Sequence, residues 1–303
     1  MKHIKRTLTA ILTSLVITAG NISESAAQLN PLGAQYFHNQ YLANPAMAAA
    51  EKALIISGSL RQNWSRIPGA PVIQSLTGEY RVGSRVGTGL SIYNEGAGLI
   101  KTTRVVGTYS YHLPINEESQ QLHFGLSLGF MNERLMNENI DGDQGDISVG
   151  RFNRRETYMD GDFGAAYTDN KLNLQLSLPN LKSFFRTDEN NTVDRSTFYT
   201  SAGYRWGLGE GESAITVEPK VAFRGIKGYR NILDAGAHAS LINDQLLLSA
   251  MYHSSKSASF SFGLNYHQFS LIGLYTSETA ALRGYTAGNF EIGLKYKVPK
   301  KEQ

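Results

Sequence analysis

Cysteine is absent from the 303 residues. That excludes a disulfide framework, thiol catalysis, iron–sulfur clusters, cysteine-built zinc sites and a lipid-attachment cysteine. Proline is scarce at 8, and charged residues make up only 18%, below the ~25% of an average soluble domain. The formal net charge of +3 comes with no basic stripe, so no nucleic-acid partner is expected. Long apolar runs are missing too. Beyond Leu8–Ala19 no segment approaches the ~18 residues that a membrane-spanning helix needs. Aromatic residues, at 10% with 16 Tyr and 13 Phe, exclude a disordered chain.

Catalytic signatures are missing as well. His38, His112, His123, His238, His253 and His267 show no H-E-x-x-H spacing, and there is no G-x-S-x-G elbow and no Walker loop. Val82–Gly87 (VGSRVG) precedes no helix pattern, so it makes a poor phosphate cradle. Asp141–Asp146 (DGDQGD) opens like a calcium loop, but the twelfth position holds Phe152 where a bidentate Glu belongs. No enzyme, cofactor or metal is expected; a Ser/His pair assembled by the fold is the one catalytic arrangement that spacing alone leaves open.

What is present begins with residues 1–27. A basic stretch (Lys2, Lys5, Arg6), an apolar core at Leu8–Ala19 and the small residues Ser25-Ala26-Ala27 read as a secretory signal peptide cleaved before Gln28. From there the dominant pattern is strict alternation. Phe290, Ile292, Leu294 and Tyr296 alternate with Glu291, Gly293 and Lys295; Phe260, Phe262 and Leu264 alternate with Ser259, Ser261 and Gly263. Neighbouring side chains of a strand point to opposite faces, so each run has one apolar and one polar face.

Fourteen such strands are predicted, at 53–61, 71–81, 85–94, 101–113, 121–131, 160–169, 171–178, 197–206, 213–224, 231–241, 244–253, 257–266, 268–277 and 287–297. Long connections at 62–70, 95–100, 132–159, 179–196 and 278–286 alternate with short ones near 82–84, Asn170, Asn243 and His267. Long loops on one rim and tight turns on the other are the habit of outer-membrane barrels. Strand lengths near the ~9–11 residues of a tilted span, Gly/Ser-rich polar faces and aromatics at strand ends (Tyr80, Tyr109, Tyr111, Trp206, Tyr252, Tyr266, Tyr296) fit the same answer. The expected fold is an all-β transmembrane antiparallel up-and-down barrel over 53–303, preceded by a periplasmic or plug segment at 28–52. A soluble sandwich is the competing architecture.

An ordered set of short motifs runs through this frame. Asn44-Pro45-Ala46 follows a Tyr/Phe/Asn-rich stretch; Arg61-Gln62-Asn63-Trp64 and Gly69-Ala70-Pro71 follow the first strand. Val86-Gly87-Thr88-Gly89-Leu90 precedes Asn94, and Ser177-Leu178-Pro179-Asn180-Leu181 lies at mid-chain. Together they resemble the PorP/SprF family of Bacteroidetes outer-membrane proteins. Met47-Ala48-Ala49 and Asn94-Glu95 depart from that family's Tyr-Ala-Gly and Asn-Asp. The resemblance implies a place in the type IX secretion and gliding-motility apparatus. It implies secretion components, or a large secreted adhesin-like protein, as partners beside outer-membrane lipid.

Two groups of residues are candidates for partner binding. Arg61 and Trp64 stand where the first strand meets its loop, and Phe184-Phe185-Arg186 sit in the 179–196 loop; Trp and Arg are enriched in binding hot spots. For Trp64 the plainer role is an interface anchor. Asn44, Pro45, Ala46, Gly69, Ala70, Pro71, Pro179, Asn180 and Leu181 read as turn and strand-stop positions. The polar faces carry Glu79, Arg81, Arg104, Arg205, Glu218, Lys220, Arg224, Asp234, His238, Glu291 and Lys295 toward the lumen. Both signs are mixed there, which fits ionic ladders between strands or a selective pore. The lead function is binding of an exported partner's C-terminal domain; the alternative is a porin or transporter for small solutes.

Overall fold

The computed structural model describes residues 32–65, 67–116, 119–136, 157–182, 196–209, 214–226, 231–277 and 286–299. The signal-peptide segment 1–27 therefore lies outside the described residues, as do Phe184, Phe185, Arg186 and the 141–146 acidic loop. The strands are β1 (Ala53–Gln62), β2 (Val72–Arg81), β3 (Val86–Ala97), β4 (Ile100–Pro114) and β5 (Gln121–Leu135). They continue as β6 (Tyr158–Thr168), β7 (Leu172–Leu178), β8 (Ser196–Tyr204), β9 (Trp206–Leu208) and β10 (Ile215–Ile226). The last five are β11 (Ile232–Leu241), β12 (Leu246–His253), β13 (Ser257–Tyr266), β14 (Phe269–Thr276) and β15 (Asn289–Pro299).

Apart from β8 and β9, which do not pair with each other, every strand pairs antiparallel with its chain neighbours, and β15 returns to β1, Ala53 facing Pro299 and Gln62 facing Phe290. β8 and β9 both pair with β10 on either side of Arg205, so they form one interrupted stave. The result is a closed barrel of fourteen staves. Closure leaves no unpaired edge, which a bilayer could not solvate.

Burial is inverted relative to a soluble protein. On β13, Ser257, Ser259 and Ser261 are buried while Phe260, Phe262 and Leu264 are exposed. On β5, Ser127 and His123 are buried while Leu126, Leu128 and Phe130 are exposed. Among the described residues no second sheet covers the apolar face, which removes the sandwich reading. The apolar exterior is a lipid-facing surface. Trp206, Tyr266 and Phe269 ring one end of it, where Phe269 meets Tyr296 at 5.0 Å between ring centres. Tyr252 and Phe290 ring the other, with Phe290 5.1 Å from Tyr275. Such aromatic belts belong at the two lipid–water interfaces.

One expected long connection is corrected. The 95–100 stretch is a two-residue turn at Gly98-Leu99, because β3 runs on to Ala97 and pairs it with Ile100. Gly98 has φ 58°, the left-handed conformation such a tight hairpin requires. The long-loop rim otherwise carries the connections after β1, β5, β7 and β14. The opposite rim carries the short turns after β2, β11 and β13, both chain ends of the barrel, and a tightly clasped β6–β7 turn. There the Asp169 carboxylate accepts the Lys171 and Leu172 amides at 2.6 Å each, and these bonds hold its pKa below the usual carboxylate range.

Candidate functional site

The lumen is not empty. Residues 32–52 run through it as three short 3-10 turns, Gly33–Tyr36, Gln40–Leu42 and Pro45–Met47. Proline at the first helical position and Asn44 as cap, its side chain accepting the Ala46 amide at 3.0 Å, fix the last turn. Asn44-Pro45-Ala46 is therefore a turn, and it is also the centre of the plug.

Lumen glycines make room for it. A Cβ at Gly125 would lie 2.2 Å from the Pro45 carbonyl carbon, one at Gly164 2.0 Å from Asn44 Oδ1, and one at Gly89 2.6 Å from the Tyr41 hydroxyl. The Gly-rich polar faces thus serve a close approach between backbones.

Polar side chains from around the wall then grip the segment. Going up from the short-turn rim, Arg81 donates to the Ala50 carbonyl (2.8 Å), the Ala49 amide donates to Glu79 (2.6 Å), and Ser110 donates to the Ala48 carbonyl (2.7 Å). Tyr41 hydrogen-bonds Thr108 at 2.7 Å, and Asn44 donates to Gln175 at 3.4 Å. Lys295 donates to the His38 carbonyl, and Lys220 to the Tyr36 carbonyl at 2.7 Å. Finally the Tyr36 hydroxyl donates to Asp234 at 2.5 Å. At the short-turn rim Glu51 meets Lys297. Burial raises the Glu51 pKa, but the surrounding cations, Lys297 foremost with Lys295 and Arg205, more than offset it, so the carboxyl lies below its ordinary value.

Asp234 is the hub. Fully buried, it accepts from Tyr36, from Arg224 (3.3 Å) and from His253 (2.8 Å). His253 in turn meets the Ser259 hydroxyl at 2.8 Å. This Ser–His–Asp string has the order of a nucleophilic triad. Ser259 is 3% exposed and also bonded to Thr276 (2.6 Å), Tyr36 covers the His253 ring at 5.9 Å, and the carboxylate is shared with Arg224. Among the described residues the Ser259 hydroxyl is covered and already bonded, and the string braces the plug.

The remaining lumen residues pair with one another or with the plug. Arg61 lies buried against Glu291 at 2.8 Å, with Gly33 against its guanidinium. Arg104 reaches both oxygens of Asp162 at 2.7 Å. Glu218 lies between Lys220 (3.2 Å) and the largely exposed Arg205 (3.4 Å). His238 stacks on Phe37 at 5.3 Å between ring centres. Sequence reading did not single out Tyr36, Tyr41, Asp162, Gln175 or His253. The dense Tyr/Phe/Asn composition of 33–44 was the signal available for the first two.

The rim candidates fare differently. Arg61 turns inward, where it meets Glu291 at 2.8 Å. Trp64 is half-buried in the β1–β2 loop at φ 46°, its amide donating to Asn289 at 2.9 Å. Gly69, at φ 72°, accepts the Gly98 amide at 2.8 Å, and Pro71 accepts the Asn63 amide at 2.9 Å, while Ala70 completes that turn. Pro179 ends β7. Asn180 follows at φ 57°, with its amide on Asp162 at 3.0 Å, and Leu181 begins the next turn.

The plug divides the lumen into two vestibules. A cavity of about 970 Å³ opens toward the short turns, lined by Arg205, Glu218, His238, Asp244, Gln268 and Lys295. Another of about 360 Å³ opens toward the long loops, between the plug and β3–β7.

A closed barrel with an apolar belt, aromatic girdles and its own N-terminal segment packed in the lumen is a membrane barrel of the outer-membrane type. The sequence profile described as type IX secretion system membrane protein PorP/SprF matches residues 25–296. The chain belongs to that family. No functionally curated protein matches the sequence. Among solved structures it is similar to the outer membrane protein Omp33 of Acinetobacter baumannii, at 10% identity and a TM-score of 0.46, covering 82% of this chain and 99% of that one. It is also similar to a FadL homologue of Pseudomonas aeruginosa, at 11% identity and a TM-score of 0.45, covering 85% and 93%.

Proposed function

We propose that this barrel is a plugged, lipid-embedded docking platform of the type IX secretion system. It supports the export or surface anchoring of an adhesin-like partner by binding that partner's C-terminal domain, and it performs no catalysis. The signal peptide at 1–27 delivers it to the periplasm, and the barrel then resides in the outer membrane. The observation that carries this reading is the filled lumen. Residues 32–52 are gripped from around the wall, which favours a rigid platform over the rival porin reading. Arg61 acts from within, stabilising the rim beneath Trp64, while Trp64 and Phe184-Phe185-Arg186 remain the aromatic and cationic elements offered to a partner.

The test has two arms. Tagged protein extracted gently from native outer membranes should retain a secreted protein or periplasmic secretion components that an unrelated barrel does not. In planar bilayers the purified barrel should show little steady conductance. Graded, steady conductance with no retained partner would favour the porin.

A further inference from the structure

We infer that the cavity at the long-loop rim is a socket for one cationic side chain, lysine or arginine, of the protein that docks on the barrel. This rests on the docking reading above and specifies its chemistry.

Motifs far apart in sequence converge on this cavity. Pro45 of the plug forms part of its floor, and Pro179 and Asn180 part of its wall. Asn180 is held in the left-handed region, and strained backbone concentrates at functional sites. The walls are of two kinds. Leu42, Val106 and Met131 offer an apolar sleeve that suits the methylene stem of a long basic side chain. Glu95 and Asp162 face the cavity with one guanidinium, Arg104. Arg104 already spans both oxygens of Asp162, so among the described residues the Glu95 carboxylate is the charge that remains for a cation. Glu95 is oriented by the Tyr93 hydroxyl at 2.9 Å. Independently of the acids, Ser177 is fully buried, lines the cavity and has a hydroxyl without a partner. A buried polar atom left unsatisfied costs stability, so it marks a place where a ligand donor would be accepted.

The cysteine-free chain allows a direct test. Thr102, on the cavity wall, is replaced by cysteine, with Leu99→Cys in the neighbouring turn as the control outside the cavity. Each is treated with a cationic trimethylammonium-ethyl and an anionic sulfonato-ethyl methanethiosulfonate. The cationic-to-anionic rate ratio should be about tenfold higher at position 102 than at 99, and Glu95→Gln should cut it about threefold. Equal ratios at the two positions would overturn the inference.

The co-purification arm separates the two readings. A partner retained by the native barrel but lost from Glu95→Gln, and from Thr102→Lys, which fills the socket with its own ammonium, supports the socket. A partner retained equally by both variants sinks the socket and leaves docking standing. A native barrel that retains nothing removes the docking reading itself, and the socket with it. Heat-modifiable gel mobility shows that each variant is a folded barrel.

Discussion

Asp234 shows how much one side chain can organise. Three donors, Tyr36, Arg224 and His253, converge on it. Asp234→Asn leaves Arg224 buried without its counter-charge, so it should cost about 3–5 kcal/mol. Tyr36→Phe removes one charge-assisted bond and should cost less, about 1.5–3 kcal/mol. Urea titrations of vesicle-inserted protein would rank the two, and an Asp234→Asn loss no larger than that of Tyr36→Phe would refute the hub. Gly125 makes the steric counterpart. Its missing Cβ leaves the space that Pro45 occupies, so Gly125→Val should push the plug aside without disturbing the lipid face. The variant should fold and show more bilayer conductance than the parent; an unchanged variant would mean that the plug stays seated despite the added side chain.

Strands were the most legible part of this sequence. Alternation alone places all fourteen staves, because a lipid exterior and a polar interior impose opposite demands on odd and even positions. The errors lie at ends: β3 and β4 extend past the expected 95–100 loop because Gly98 closes a turn in two residues. The same logic predicts where charge is not tolerated. Leu128 sits at the middle of β5 with 55% of its surface exposed. Leu128→Arg should destabilise insertion by about 2–4 kcal/mol, whereas Ile115→Arg, in the turn beyond β4, should cost about 0–1 kcal/mol. Equal costs in vesicle refolding would mean that the exposed belt is not the lipid face.

The barrel and its plug make a two-part body joined covalently only through Lys52 and β1. Removing residues 28–50 while keeping the signal peptide should leave a barrel that still resists unfolding by detergent, because every backbone ladder remains. That barrel should conduct ions. Loss of the folded band on unheated gels would instead make the plug part of the fold's core. Acid should loosen the near end of the plug. The Glu51 carboxyl is held below its ordinary value by Lys297, so their attraction is present above the ordinary carboxylate pKa and fades as pH falls below about 4.3. In cells of lowered pH the rim end of the plug should therefore become more open to proteolysis, and Glu51→Gln should remove that pH dependence.

Period-two alternation and a handful of turn motifs determined that this chain is a barrel of the outer-membrane type, because those features are local and repeat along each strand. The ordered motifs were enough to point to its family. The pairing of particular ions was decided only by closure: Arg61 with Glu291 joins residues 230 apart, and register fixes which polar side chains share a level. The vestibule on the long-loop side is likewise invisible in one dimension. Pro45, Glu95, Arg104, Asp162 and Asn180 lie on different segments, and they meet only because the chain's own N-terminal segment passes through the ring and gives that cavity a floor.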